Sequence, residues 1–284
     1  MKANESKNVP SGEQVREAVA EMCREKGITK AEFAVKCGID IMTLGALEHK
    51  KFDNVDKGDI IRIWNFCNRN NVAKLFNTTD FVATFHLCDK ARRHRLMIGL
   101  TADTGMGKTT ALSAYSRGRN VFYVSYDKTM NPRQFFSALL RELSYPFDGT
   151  LNDMINRASE ELNRLENPLL IIDEAGKLGQ SMILYLQVLR DKTKENCGII
   201  LSGMPYFKEN LQRLSIREKE GYAEFLRRIN LWHQFEGLQP CEIEEICQAS
   251  GIEEPAKIKE LKRKRRFGDL MNEIYLEKIM MEVM

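Results

Sequence analysis

The stretch Leu96-Met97-Ile98-Gly99-Leu100-Thr101-Ala102-Asp103-Thr104-Gly105-Met106-Gly107-Lys108-Thr109-Thr110 decides how the rest of the chain is read. Its apolar start predicts a buried strand, and a helix is expected to begin near Thr109. Between them lies a glycine-containing loop, Ala102 to Thr109, that ends in Lys-Thr. That order of strand, loop and helix makes a phosphate cradle, because N–H groups of the loop and of the helix N-terminus point at phosphate oxygens. Thr104, Gly105, Met106, Gly107, Lys108, Thr109 and Thr110 are therefore the expected nucleotide contacts. Lys108 would neutralise the β- and γ-phosphates of ATP, and Thr109 would give its hydroxyl to Mg²⁺. Ala102 stands where such loops usually begin with glycine. A small residue fits there if its backbone needs no positive φ.

The second half of the expected site is Leu169-Leu170-Ile171-Ile172-Asp173-Glu174, a buried strand ending in two carboxylates. Asp173 would hold the Mg²⁺ shell, and Glu174 would orient or deprotonate the attacking water. An apolar strand ending in Asp-Glu is common, so its weight comes from its place about 65 residues after Lys108. A third strand, Gly198 to Ser202, ends in a hydroxyl. Ser202 would lie beside the carboxylates and sense the γ-phosphate, or it would simply cap the strand before Gly203.

Outward from these motifs, strand candidates at 96–101, 121–125, 169–173 and 198–202 alternate with helical segments of ten or more residues. That alternation predicts a parallel sheet covered by helices. A helical segment from about Asp80 to Arg95 leads into the first strand. After Pro240 the chain turns helical and highly charged, as expected of a small all-α lid. The expected division is a polar tail over 1–12, a helical module over 13–70, an α/β core over 71–240 and the lid over 241–284.

Composition narrows the class. The chain has 284 residues, 43% of them hydrophobic, with 43 basic and 40 acidic side chains. A sizeable core is available, and a net charge of +3 neither demands nor forbids nucleic acid. The seven cysteines are scattered without any Cys-x-x-Cys, which points to free thiols in a reducing compartment. No apolar run approaches the ~20 residues needed to span a bilayer, and the amino terminus lacks a signal-peptide core. The expectation is a cytoplasmic protein with no membrane association.

Residues Val15 to Cys67 read as a small helical unit. Val15, Val19 and Met22 share one helix face. Thr29 to Ile39 supplies a candidate N-cap, a short helix and a glycine turn, and Asp40 to His49 a second helix. Leu44 and Leu47 would face the core. Thr43, Ala46, His49, Lys50 and Lys51 would lie near DNA, for base-edge or phosphate contact. The competing reading is a helical protein-interaction module. Few arginines sit at the exposed end of the second helix, so contact with duplex DNA would be largely nonspecific.

The loop, the Asp-Glu strand and the Ser202 strand together resemble AAA+ ATPases, and the amino-terminal unit resembles repressor-like helix-turn-helix domains, including the small residues Ala34 and Gly38. The resemblance to AAA+ proteins implies an arginine that reaches a neighbouring subunit's γ-phosphate. Arg227 or Arg228 stands at the matching place, with Arg213 and Arg217 as alternatives. It also implies a sensor arginine in the lid, Arg265 or Arg266, within a basic run from Lys257 to Arg266. That run fits DNA phosphate contact or a solvated helix face equally well.

The combination, with Asp173-Glu174-Ala175, Leu186 to Thr193 and Cys197 to Pro205 in order, is similar to the transposon target-selection ATPases of the phage Mu B type. That resemblance covers roughly residues 15 to 240. It implies a bacterial ATPase that assembles on target DNA as an oligomer or helical filament. It also implies activation of a DDE transposase, with ATP hydrolysis driving release. The alternatives are a replication initiator or helicase loader, a transcription regulator gated by nucleotide, and a nonenzymatic scaffold.

Overall fold

In the computed structural model, residues 12–50, 52, 55, 56, 59, 60, 63, 66, 67 and 76–283 are described. The strands are β1 (Met97–Thr101), β2 (Val121–Ser125), β3 (Leu169–Asp173), β4 (Gly198–Gly203) and β5 (Leu231–Gln234). They form one parallel sheet in the order β2-β3-β4-β1-β5. Every residue of β1, β3 and β4 is buried. Strands covered on both faces need no polar alternation, which is why these segments read as continuous apolar runs.

Alternate side chains serve opposite faces. Met97, Leu170, Ile172, Ile199 and Leu201 pack on one side with α6 (Pro132–Glu142), α7 (Leu151–Arg164), α8 (Gln180–Thr193) and α9 (Tyr206–Ile216). Ile98, Leu100, Leu169, Ile171 and Ile200 pack on the other with α4 (Thr79–His94) and α5 (Lys108–Tyr115). Each such side chain contributes about 1.5–3 kcal/mol by leaving water. The covering helices start cleanly. Asn131 with Gln134 and Thr150 with Asp153 form reciprocal capping boxes that satisfy orphan N–H groups. This is the AAA+ P-loop fold, an α/β parallel sheet with helices on both faces.

Two further apolar clusters stand apart from the sheet. Val15, Val19 and Met22 of α1 (Gly12–Lys26) bury against Phe33 of α2 (Lys30–Cys37) and against Leu44 and Leu47 of α3 (Ile41–Glu48). Thr29 caps α2 in a capping box with Glu32, and Gly38 turns the chain at φ 72°. The other cluster joins α11 (Pro240–Ala249), α12 (Pro255–Leu261) and α13 (Phe267–Val283) through Ile243, Ile246, Ile258, Leu261, Leu270 and Ile274. The expected tail, apart from Gly12, and Lys51 lie outside the described residues. No disulfide links the cysteines among the described residues, with Cys37, Cys88, Cys197 and Cys247 buried and Cys241 exposed. No described helix is long and apolar enough to cross a membrane.

One segment departs from the sequence expectation. Leu231–Gln234, absent from the strand candidates read from sequence, is the edge strand β5, paired among the described strands with β1 alone. Its outer flank is open, so its side chains are only partly covered, and burial does not mark it as a strand.

Candidate nucleotide site

The C-terminal ends of β1, β3 and β4 converge, and β4 lies between the other two. From β1 the chain enters the loop through Ala102, whose N–H donates to Gly203 O at 3.2 Å. Ala102 is buried and keeps a negative φ, so an alanine fits where glycine is usual. The left-handed turns are left to Gly105 (φ 80°) and Gly107 (φ 89°), where the absence of a Cβ is what permits them. Lys108 is the first residue of α5, and its ammonium donates to Ala102 O at 2.5 Å and Asp103 O at 3.0 Å. Burial lowers the Lys108 pKa, while the carboxylates of Asp173, Glu174 and Asp103 oppose that shift.

Asp173 is buried and gathers three donors. Thr109 Oγ1 donates to its Oδ2 at 2.8 Å, and Tyr123 OH donates to the same oxygen at 2.7 Å. The Glu174 N–H donates to Oδ1 at 2.9 Å. Tyr123 was not singled out in the sequence. It lies on β2 one diagonal step from Asp173, since Tyr123 pairs with Ile171 and Ser125 with Asp173. Burial first, and then the Asp173 charge, push its phenol well above the usual range, so it remains a donor. Tyr123→Phe is expected to raise the Mg²⁺ concentration needed for tight nucleotide binding several-fold. Affinity measured in EDTA should stay unchanged. An unaltered Mg²⁺ titration would remove Tyr123 from this role.

Glu174 is held in the left-handed region at φ 59°, ψ 30°, and its carboxylate lies 3.3 Å from the Lys177 ammonium. Ser202 caps nothing. Its Oγ is buried with no hydrogen-bond partner among the described residues, between the loop strand and the Asp173 strand. A buried hydroxyl left unpaired costs about 1–3 kcal/mol, which a γ-phosphate oxygen at this place would recover. Thr104 is exposed and its hydroxyl lies 3.4 Å from Met204 Sδ. Met106 packs against the cluster beneath the loop, and Thr110 is half-buried on α5. Two positive-φ glycines, a lysine, a Thr–Asp pair and an orphaned hydroxyl fit a Mg²⁺–nucleoside triphosphate.

The lid touches the loop through main chain. Gly268, the second residue of α13, donates its N–H to Gly105 O at 2.6 Å. A Cβ at Gly268 would meet the Gly105 backbone at 3.2 Å. Arg266 sits beside this contact, its guanidinium 3.7 Å from the Asp103 carboxylate, with both side chains about half exposed. Arg265 contributes its carbonyl, which accepts the Leu238 N–H.

The arginines near α10 (Tyr222–Arg228) separate by environment. Arg228 is held by Asp191 in a two-pronged pair at 2.8 and 2.6 Å, and it also donates to Glu224 O. Asp191 raises the Arg228 pKa accordingly. Arg228 is therefore engaged within its own chain, while Arg227 is exposed and has no side-chain partner among the described residues. Arg213 donates to Asn210, and Arg217 ends α9. Arg190 is structural, donating to Cys197 O and Arg95 O from a buried position.

Around the amino-terminal helices, Thr43 is half-buried, His49 is exposed, and Lys50 lies 3.5 Å from Glu13. The first turn of α3 is apolar and open, with Ile41 53% and Met42 77% exposed.

Residues 91–211 match the family model described as an AAA domain. No curated protein matches the chain. Among solved structures, the Aeropyrum pernix ORC1 protein in complex with DNA is 17% identical with a TM-score of 0.48, over 62% of this chain and 49% of that one. A crystal structure titled DNA replication initiation factor is 18% identical with a TM-score of 0.47, over 74% of this chain and 63% of that one. The chain thus spans about half of the first of these proteins and less than two thirds of the second.

Proposed function

We propose that this chain is a Mg²⁺-dependent ATPase whose nucleotide state governs its assembly on duplex DNA. The observation that carries the ATPase reading is the shared Asp173 carboxylate, which holds Thr109 and Tyr123 within reach of the Lys108 loop. A Mg²⁺ ion held by Thr109 and Asp173 would draw charge from the phosphates and orient them. Lys108 would swing from the loop carbonyls to the β- and γ-phosphates, Ser202 would donate to the γ-phosphate, and Glu174 would take the proton of the attacking water. Arg227, exposed and with no side-chain partner among the described residues, is open to reach a neighbouring subunit, as is the exposed Arg217, and Arg266 is the lid arginine beside the loop.

The division we propose is the helix-turn-helix unit to residue 70, the ATPase core to 240 and the lid beyond. The helix-turn-helix would add largely nonspecific contact through Thr43, His49, Lys50 and Lys51. Two tasks suit such a protein. One is replication initiation or helicase loading. The other is delivery of target DNA to a DDE transposase, which rests on the sequence resemblance at residues 173–175, 186–193 and 197–205 alone.

Electron microscopy with long duplex DNA tests the shared claim. Ordered oligomers or filaments are expected with a nonhydrolysable ATP analogue and few with ADP. Equal assembly in both states, or none in either, would reject nucleotide control. Pull-down against a purified transposase and a purified replicative helicase then separates the two tasks.

A further inference from the structure

Helix α4 has a second face. Leu87, Cys88 and Ala91 are buried under the sheet, whereas His86, Lys90, Arg93 and His94 point to solvent. With Asp89 these side chains line one shallow groove. Asp89 is the carboxylate of this face, and its Oδ1 accepts the Tyr115 hydroxyl at 2.6 Å. Lys90 and Arg93 have no ion-pair partner among the described residues.

Basic residues near a helix C-terminus often serve only the helix dipole, an effect that falls off within the last turn. Here Arg92 does the structural work instead, donating to Asn167 O and Arg119 O at 2.9 Å each. Its bond to Arg119 O draws the loop between α5 and β2, with exposed Arg119, alongside α4. The same loop forms a cleft with α1 and α2, and Lys36 of α2 lies 5.7 Å from the Phe122 ring centroid. The open face of α4 and the amino-terminal helices therefore flank one end of the sheet, where β1 and β2 begin.

We infer that this face of α4, centred on Lys90 and Arg93, grips the phosphate backbone of duplex DNA without reading its sequence. From His86 to His94 the helix rises about 12 Å. That length faces about three phosphates of one strand at ~3.4 Å each. The inference rests on the proposed reading that the chain holds DNA, and it adds a site that lies at the sheet end opposite the nucleotide loop.

The test is fluorescence anisotropy of the full chain on duplexes of two unrelated sequences, with ATP analogue, across a salt series. Lys90→Gln/Arg93→Gln should weaken both duplexes on the order of tenfold and reduce the salt slope by about 2, roughly one per lost phosphate contact. Arg133→Gln/Lys219→Gln, which removes two exposed charges elsewhere, should change neither, and fluorescent ATP binding should be the same in all three proteins. Unchanged affinity and slope in the first variant, with wild-type binding intact, would overturn this site and leave the DNA reading standing. A wild-type chain that binds neither duplex would sink both. An equal loss in the control variant would reduce the effect to net charge and reject the site.

Discussion

Glu174→Gln is expected to lower steady-state ATP turnover by about 10²–10⁴-fold, the usual worth of a positioned general base. Nucleotide and duplex binding should stay near wild type, because glutamine keeps the volume and loses only the proton acceptor. The structure sharpens the expectation. Glu174 makes no hydrogen bond with its carboxylate to the Asp173 network; only its N–H enters it. Its carboxylate is partly exposed and pairs loosely with Lys177, so the substitution should not disturb the metal ligands. Phosphate release measured under multiple turnover decides the matter. Wild-type turnover in the variant would strip Glu174 of the assigned role and favour a scaffold that holds nucleotide without consuming it.

Lys108→Ala should weaken ATP binding about 10²-fold, since charged hydrogen bonds contribute roughly 1.5–3 kcal/mol each. Titration with a fluorescent ATP analogue reads that loss directly. Thermal melting supplies the control. Ligand that binds only the folded state raises the midpoint, so wild type should gain several degrees with Mg²⁺–ATP and the variant almost none. In the structure Lys108 also ties the loop carbonyls of Ala102 and Asp103. A small drop in the nucleotide-free midpoint is therefore expected too. Unweakened binding would show that the phosphates sit elsewhere.

The elements legible in the sequence were those whose evidence is local. Strand 169–173 and strand 121–125 have the bounds their apolar runs predict, and the strand ahead of the loop starts one residue later than expected. Thr29 and Gly38 mark α2 because capping and left-handed turns are chemistry of single residues. Edge strand β5 escaped because four residues with one paired neighbour carry no burial pattern.

Tyr123 escaped for a different reason. In a strand it reads as an ordinary aromatic core residue, and only the pairing of β2 with β3 brings it to an aspartate 50 positions away. Arg227 and Arg228 are adjacent and alike in sequence, and Asp191 on a distant helix sets them apart. The alanine at the head of the loop was open on sequence grounds. Its negative φ and its strand-like bond to Gly203 close the question.

The backbone of Glu174 has a consequence for how this chain can change over time. A left-handed conformation costs a residue with a Cβ about 1–2 kcal/mol, and glycine almost nothing. The position assigned the most demanding chemistry is thus one where the fold would be more comfortable without it. Random drift at this codon would be rewarded by robustness and opposed only by the need for turnover. A lineage that ceased to consume ATP should lose this side chain early, and a lineage that retains it against that pull is still using it.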